Sequence, residues 1–371
     1  MTEENSYFTA QELTRQISNI GKSAAIADTN SAMLLKGRPT MQDVAEAAGV
    51  SLKTVSRVVN NEPRVSEETK ERVKQAISAL GFRRNDIARS LRRGQASSTI
   101  GLIIEDIANP FYSSIALGVE QVAQQYNYMV IMSNSEEHPL RERELANALL
   151  RRRVEGLLIV PAGRDHSYLL PELQLGTPII FLDRPPINLP ADVILLENQG
   201  GARKAINHLL ERGHRRIGLI CGDPLVHTGS GRTAGYREAL AGYGVPIDET
   251  LMYFGCDAAP QAQAAIQALL ALPEPPTAIF TTSNRISVAV LRFLYQQRKQ
   301  LAFIGFDDFD FADLLPLPVT VVAHNPVEFG KIAAELLFAR LNGDSRPPQR
   351  LILPTELIVR GSGELPPSNL H

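Results

Sequence analysis

The chain has 371 residues, 44% of them hydrophobic, which is enough for two or more domains with substantial cores. No run of about 18 uncharged apolar residues argues for a membrane helix, and the start MTEENSYFTAQEL lacks the basic and apolar regions of an export signal, so a cytoplasmic location is expected. The net charge of −2 hides an asymmetry: residues 36–94 hold 13 Lys/Arg against 7 Asp/Glu, whereas residues 95–371 carry six more acids than bases. A small basic head on a larger acidic body fits a DNA footprint confined to one domain, with a solvated charged surface as the plain alternative.

Residues 1–36 are weakly patterned and rich in Ser, Asn and Thr, so a disordered extension is expected, with Met33 a candidate internal start. From Pro39 the pattern turns helical. Thr40 and Asp43 form a capping box, Gly49 ends the first helix, and Ser51 caps a second whose Val55, Val58 and Val59 face inward. Ser66 caps a third, with Glu67 and Glu68 at its positive end, an apolar stripe of Val73, Ala76, Ile77 and Leu80, and a stop at Gly81. Three short helices sharing one seam make a small domain over residues 37–83. The segment NDIARSLRRGQASS, residues 85–98, is basic and has Ile87, Ala88 and Leu91 among its few apolar residues. It is expected to become helical only against a partner.

Beyond Ser98, apolar strands alternate with amphipathic helices. Strands are expected at TIGLIIE, YMVIMS, GLLIVP, PIIFLD, RIGLICG, LMYFG, TAIFTT, LAFIGF and VTVVAH. Continuous apolar strands between helices imply parallel sheets covered on both faces, and about 260 residues of this pattern imply two α/β lobes. Ligands of such sheets bind beyond the carboxyl ends of the strands, where Asp106, Asn109, Asp183, Arg184, Asp223, Asn284, Asp307 and Asp308 stand. Cys221 and Cys256, the two cysteines, lie in apolar segments and read as buried thiols.

A helix-turn-helix lays its second helix in the major groove. Arg57 can bond a guanine, Lys53 a base or phosphate, and Leu52 can pack on a thymine methyl, with Ser51 and Ser56 beside them. Thr54, Asn60 and Arg64 suit backbone contacts.

The segments TMQDVAEAAGVSLKTVSRVVNNEPRVSEETKERVKQAISALGF, NDIARSLRRG, TIGLIIEDIANPFY, ERGHRRIGLICG, GSGRTAGY and IGFDD together resemble the lactose/galactose repressor (LacI/GalR) family of bacterial transcription regulators, in order from Pro39 to Gly361. The resemblance implies a helix-turn-helix headpiece at 37–83 and a hinge helix at 84–97. It also implies a two-lobed α/β body of the periplasmic-binding-protein type at 98–361, followed by a tail at 362–371. By the same reading the first lobe comprises 98–197 plus 309–324, and the second 198–308 plus 325–361. It further implies a homodimer on a near-palindromic operator, with a dimer of dimers left open. Asn85 and Arg89 of the hinge would contact DNA, and Leu91 would wedge into the minor groove and kink the duplex. A sugar-like effector would meet Asn109, Phe111, Asp183, Arg184, Thr228, Arg232, Asp257, Asn284 and Asp307. Arg232 and Asp307 would bracket vicinal hydroxyls. No cofactor, metal site or membrane partner is implied. Asp257 stands where many members have an aromatic, Arg285 where an acid is usual, and Val226 where the purine-responsive branch has a base, which disfavours a purine effector. Effector identity, and whether it induces or corepresses, stay open.

A sugar-transport protein fits the body but not the basic head. An enzyme lacks a motif: there is no phosphate loop, nucleophile elbow or H-E-x-x-H. His208 and His214 straddle a helix end, where a surface role is expected.

Overall fold

Capping decides where the first helices begin and end. The computed structural model describes residues 39–60, 62–63, 65–82 and 98–367. The expectations for the N-terminal extension, the hinge segment and Arg64, Asn85, Arg89 and Leu91 lie outside these residues. Helix α1 (Met41–Ala48) starts on the Thr40–Asp43 box, in which Thr40 N donates to Asp43 Oδ2 at 2.7 Å and Asp43 N to Thr40 Oγ1 at 3.3 Å. It ends at Gly49, whose φ of 61° is open to glycine without a side-chain clash. Ser51 caps α2 (Leu52–Val59), and Ser66 caps α3 (Glu67–Leu80). Val44, Ala45, Ala48, Val55, Val58, Val73 and Ala76 close one core. The described residues up to 82 and those from 98 onward fall into two compact units.

The body holds two six-stranded sheets. The first, in the order β11-β5-β4-β3-β1-β2, is parallel throughout: β1 (Thr99–Ile104), β2 (Met129–Asn134), β3 (Leu157–Ile159), β4 (Ile179–Leu182), β5 (Asp192–Leu196) and β11 (Arg350–Leu353). The second, in the order β12-β10-β9-β8-β6-β7, comprises β6 (Ile217–Ile220), β7 (Met252–Tyr253), β8 (Ala278–Thr281), β9 (Ala302–Phe306), β10 (Thr320–Ala323) and the antiparallel edge β12 (Glu356–Ile358). All nine strands expected from the sequence form. The expectation missed β5, β11 and β12, each of which starts two residues after a proline.

Helices cover both faces: α4 (Pro110–Gln125), α5 (Pro139–Arg151), α6 (Leu170–Gln174) and α11 (Pro326–Leu341) around the first sheet, and α7 (Asn198–Glu211), α8 (His227–Gly242), α9 (Ala259–Leu270) and α10 (Asn284–Gln296) around the second. In each lobe one helix pair meets at glycine. A Cβ at Gly118 in α4 would lie 2.0 Å from Val327 O, and one at Gly330 in α11 would lie 2.1 Å from Ile115 O. In the other lobe, a Cβ at Gly235 of α8 would lie 2.2 Å from Gln199 O of α7.

Two expected boundaries are corrected. Strand β10 hydrogen-bonds to β9 and β12, so 309–324 belongs to the second lobe. Helix α11 buries Phe329, Ala333 and Leu337 against Ile100, Ile115 and Ile180, and β11 pairs with β5, so 325–353 belongs to the first. The apolar run VTVVA is buried on both faces and suits either sheet; pattern alone carries no address for it. The tail expected from 362 onward is also revised, because residues 362–367 pack on the second lobe. Ser362 Oγ donates to Phe303 O at 2.5 Å, His208 pairs with Glu364, and His214 bonds Leu365 O at 2.8 Å. The two histidines are therefore buried clasps rather than surface groups.

Gly118→Ala should cost about 3 kcal/mol in denaturant unfolding, because backbone rather than a flexible side chain must yield. Gly242→Ala, at the end of α8 with open space around it, should be neutral or slightly stabilising.

Candidate ligand cleft and nucleic-acid interface

On α2, Leu52, Lys53, Ser56 and Arg57 follow one another at a spacing that keeps them off the Val55 and Val58 side. Leu52, 46% exposed, and Lys53 face solvent, and Arg57 is half-buried. Ser51 and Thr54 are occupied in the cap: Thr54 N donates to Ser51 Oγ at 3.2 Å, and their hydroxyls lie 2.9 Å apart. Asn60 Nδ2 donates to Ser56 Oγ at 3.3 Å. A short helix with an apolar inner side and an outer side of Leu, Lys, Ser and Arg has the chemistry to meet base edges and phosphates together.

In the body, the loops at the carboxyl ends of both sheets converge. Strand order reverses between β1 and β3 in one sheet and between β6 and β8 in the other, and a crevice opens beyond those points. Eight of the nine effector candidates line it: Asn109, Phe111, Asp183, Arg184, Thr228, Arg232, Asp257 and Asp307. The space between them, taken out to its mouth, is about 720 Å³. Asn284 is not part of the lining. It is buried and its Nδ2 donates to Asn109 Oδ1 at 3.1 Å, bonding one lobe to the other. Arg285, beside it, pairs across the lobes with Asp106.

The two lobes repeat one device. Asp183 follows β4 and Asp307 follows β9, both with φ of 66°, and their amides donate to the neighbouring strands at Ile194 O (2.8 Å) and Val322 O (2.9 Å). Each carboxylate is thereby turned into the cleft from a left-handed position that Asp tolerates better than most side chains. Arg232, 5% exposed, donates through Nε to Asn198 Oδ1 at 2.8 Å and through Nη1 to Thr282 O and Asp307 Oδ2 at 2.5 and 3.2 Å. Its guanidinium lies 3.7 Å over the Phe306 ring. Arg232 and Asp307 thus bind one another first, and a ligand would meet the pair.

Glu105, Tyr112, Glu137 and His324 were not among the sequence candidates. Arg184 bridges Glu105 and Glu137 at 2.8 and 2.6 Å, and Tyr112 donates to Glu105 Oε2 at 2.7 Å. Burial pushes the Glu105 carboxyl up to about 7, with Arg184 pulling the other way and Glu137 adding repulsion. Burial likewise raises Asp183 and Asp257. His324 is buried against Phe111, ring centroids 5.2 Å apart, and burial lowers its pKa. Among the described residues, Asp183 Oδ1, Arg184 Nε and both His324 ring nitrogens are buried without a hydrogen-bond partner. The acid in IIED at the end of β1 was a usable signal for Glu105. Nothing in the order of residues brings His324 to Phe111.

Two family descriptions match this chain: bacterial regulatory proteins of the lacI family over residues 40–85, and a periplasmic binding protein-like domain over residues 206–363. The transcriptional regulator CelR of Thermobifida fusca is 34% identical over 340 residues, 88% of this chain and 98% of that protein. The chain belongs to the lacI family of bacterial regulatory proteins. Like other lacI-family transcriptional regulators it joins a helix-turn-helix domain to a periplasmic-binding-protein-like domain. A solved complex of CelR with cellobiose is 32% identical, spans 88% of this chain and all of that one, and has a TM-score of 0.64. The lac repressor dimer bound to operator and an anti-inducer is 25% identical, spans 88% and 99%, and has a TM-score of 0.74. No helix among the described residues of this lacI-family chain is long and apolar enough to cross a membrane.

The raised Glu105 pKa has a consequence for stability. Below about pH 4.5 the group is protonated in both states. As pH climbs toward 7 the unfolded chain releases the proton that the folded chain retains, so this contribution to stability is lost. The melting temperature of the protein relative to Glu105→Gln should therefore fall by a few degrees between pH 4.5 and 7.5, read by differential scanning calorimetry.

Proposed function

We propose that the chain is a ligand-responsive, sequence-specific DNA-binding regulator, a repressor, that holds a near-palindromic operator as a homodimer and is controlled by a sugar or sugar derivative in the interlobe cleft. The observation that carries the reading is the convergence of Asp183 from one lobe and the Arg232–Asp307 pair from the other on a single cleft flanked by Phe111. Carboxylates and a guanidinium accept and donate to hydroxyls, and an aromatic face packs on the C–H side of a sugar ring. The cellobiose in the CelR complex and the operator under the lac repressor dimer support both halves of the reading.

Control follows from the cross-lobe contacts. A ligand that bridges Asp183 and Asp307 binds more tightly where the lobes hold Asn109 against Asn284 and Asp106 against Arg285. Its differential affinity for that arrangement shifts the population, and a coupling of about 1–3 kcal/mol changes operator affinity roughly 5- to 150-fold. In the headpiece Lys53 and Arg57 read or position on the duplex, with Ser51, Thr54, Asn60 and Arg64 on the backbone. Asn85, Arg89 and Leu91 act at the operator centre.

The test pairs two assays. Anisotropy with the DNA upstream of the protein's own gene should show Arg57→Ala losing about 1–3 kcal/mol of preference over random DNA. Thermal shift across pentoses, hexoses and disaccharides including cellobiose should find a stabilising ligand whose effect Asp183→Asn and Asp307→Asn reduce. Unchanged DNA preference in Arg57→Ala, together with sugar shifts indifferent to both substitutions, would overturn the reading.

A further inference from the structure

The chain contains one run of three consecutive Lys/Arg residues, Arg151, Arg152 and Arg153. Arg151 is the last residue of α5, the next two turn the chain toward β3 with a φ of 58° at Arg153, and all three are exposed. Backbone bonds tie this turn to the beginning of β1. Glu155 N donates to Thr99 O at 2.8 Å, and the Glu155 carboxylate accepts from Ser98 N and from the Tyr128 hydroxyl. Arg152 Nη1 donates to Ala148 O at 3.1 Å.

The turn lies at the amino-terminal edge of the first sheet, while the ligand cleft lies at the carboxyl ends of the strands. That edge is also where the chain enters the body at Ser98. The lacI-family match ends at Asn85, so the 12 residues 86–97 are all the chain between the DNA-binding domain and this edge. Covalent geometry limits their reach to roughly 45 Å whatever conformation they take. A surface on so short a tether is held at high effective concentration next to any duplex that the headpiece binds. The surface is arginine-rich on a body that otherwise has excess acid, and a guanidinium fork matches a phosphate.

We propose that Arg151 and Arg152 form a second, sequence-independent phosphate contact on the duplex held by the headpiece. The inference rests on the DNA-binding reading above. Its effect is electrostatic: each phosphate neutralised releases condensed counterions, so the contact adds to the salt dependence of binding without adding to base preference.

The experiment uses the full chain and a random-sequence duplex, with affinity measured across a salt series. Arg151→Gln/Arg152→Gln should flatten the slope of log K against log salt by about 1–2 and weaken binding several-fold at low salt. Arg298→Gln/Lys299→Gln removes the same charge from an exposed turn after α10, at the amino-terminal edge of the second sheet, and should leave the slope unchanged. An unaltered slope in the first variant, or an equal change in both, overturns the proposal. Lys53→Ala/Arg57→Ala separates the two readings. If it weakens binding while Arg151→Gln/Arg152→Gln does not, only the second contact fails; if neither does, the DNA-binding reading fails and takes this proposal with it. Unchanged thermal melting of the glutamine variants shows that the fold is intact.

Discussion

Arg232 is the tie on which the second lobe's contribution to the cleft depends. A guanidinium 5% exposed is costly to bury unless its donors are met, and here they reach Asn198 at the start of α7, Thr282 after β8 and Asp307 after β9. Phe306 lies under its plane. One side chain therefore holds three segments whose ends would otherwise be independent loops. It also holds the Asp307 carboxylate in place, so the first lobe's Asp183 faces an ordered partner. Removing either member of the pair leaves a buried charge, a much larger penalty than the loss of an exposed ion pair.

The lobes are joined by three chain crossovers and by polar contacts across the cleft. The chain passes between them after β5, after β10 and after β11. Each lobe has its own core and its own glycine-to-backbone helix crossing. Close-packed interiors resist continuous deformation, so change is directed to the crossovers and to the polar contacts across the cleft. His324 sits at the second crossover with unpartnered nitrogens beside Phe111 and Asp307, a place where a small shift of either lobe alters a buried polar environment.

Polarity in the cleft is uneven for the same reason. Arg184 is held by Glu105 and Glu137, Arg232 by Asp307 and Arg285 by Asp106. Each cation is matched within its own neighbourhood. Asp183 is left with an unpartnered oxygen, and burial raises its pKa. Arg184 Nε and the His324 ring nitrogens are likewise without a hydrogen bond, so the unmet capacity around the cleft includes a donor as well as an acceptor.

By itself the sequence determined the local structure. Thr40, Ser51, Ser66, Gly49 and Gly81 start and stop the headpiece helices through groups within a few residues of one another, and apolar runs such as TIGLII and LAFIGF make strands wherever they lie. It also placed most of the cleft, because parallel strands present their carboxyl-end residues to ligand as a matter of geometry, and Asp183, Asp307 and Arg232 stand next to recognisable strands and helices. What only the tertiary structure decided is which sheet each strand joins, and therefore the exchange of 309–324 and 325–353 between lobes. It also decided the partners that charges acquire at long range: Arg184 with Glu105, Arg285 with Asp106, His208 with Glu364. The physical reason is common to these. Hydrophobic periodicity specifies that a face must be buried but not against what, and a charge specifies that it needs a counterpart but not which one.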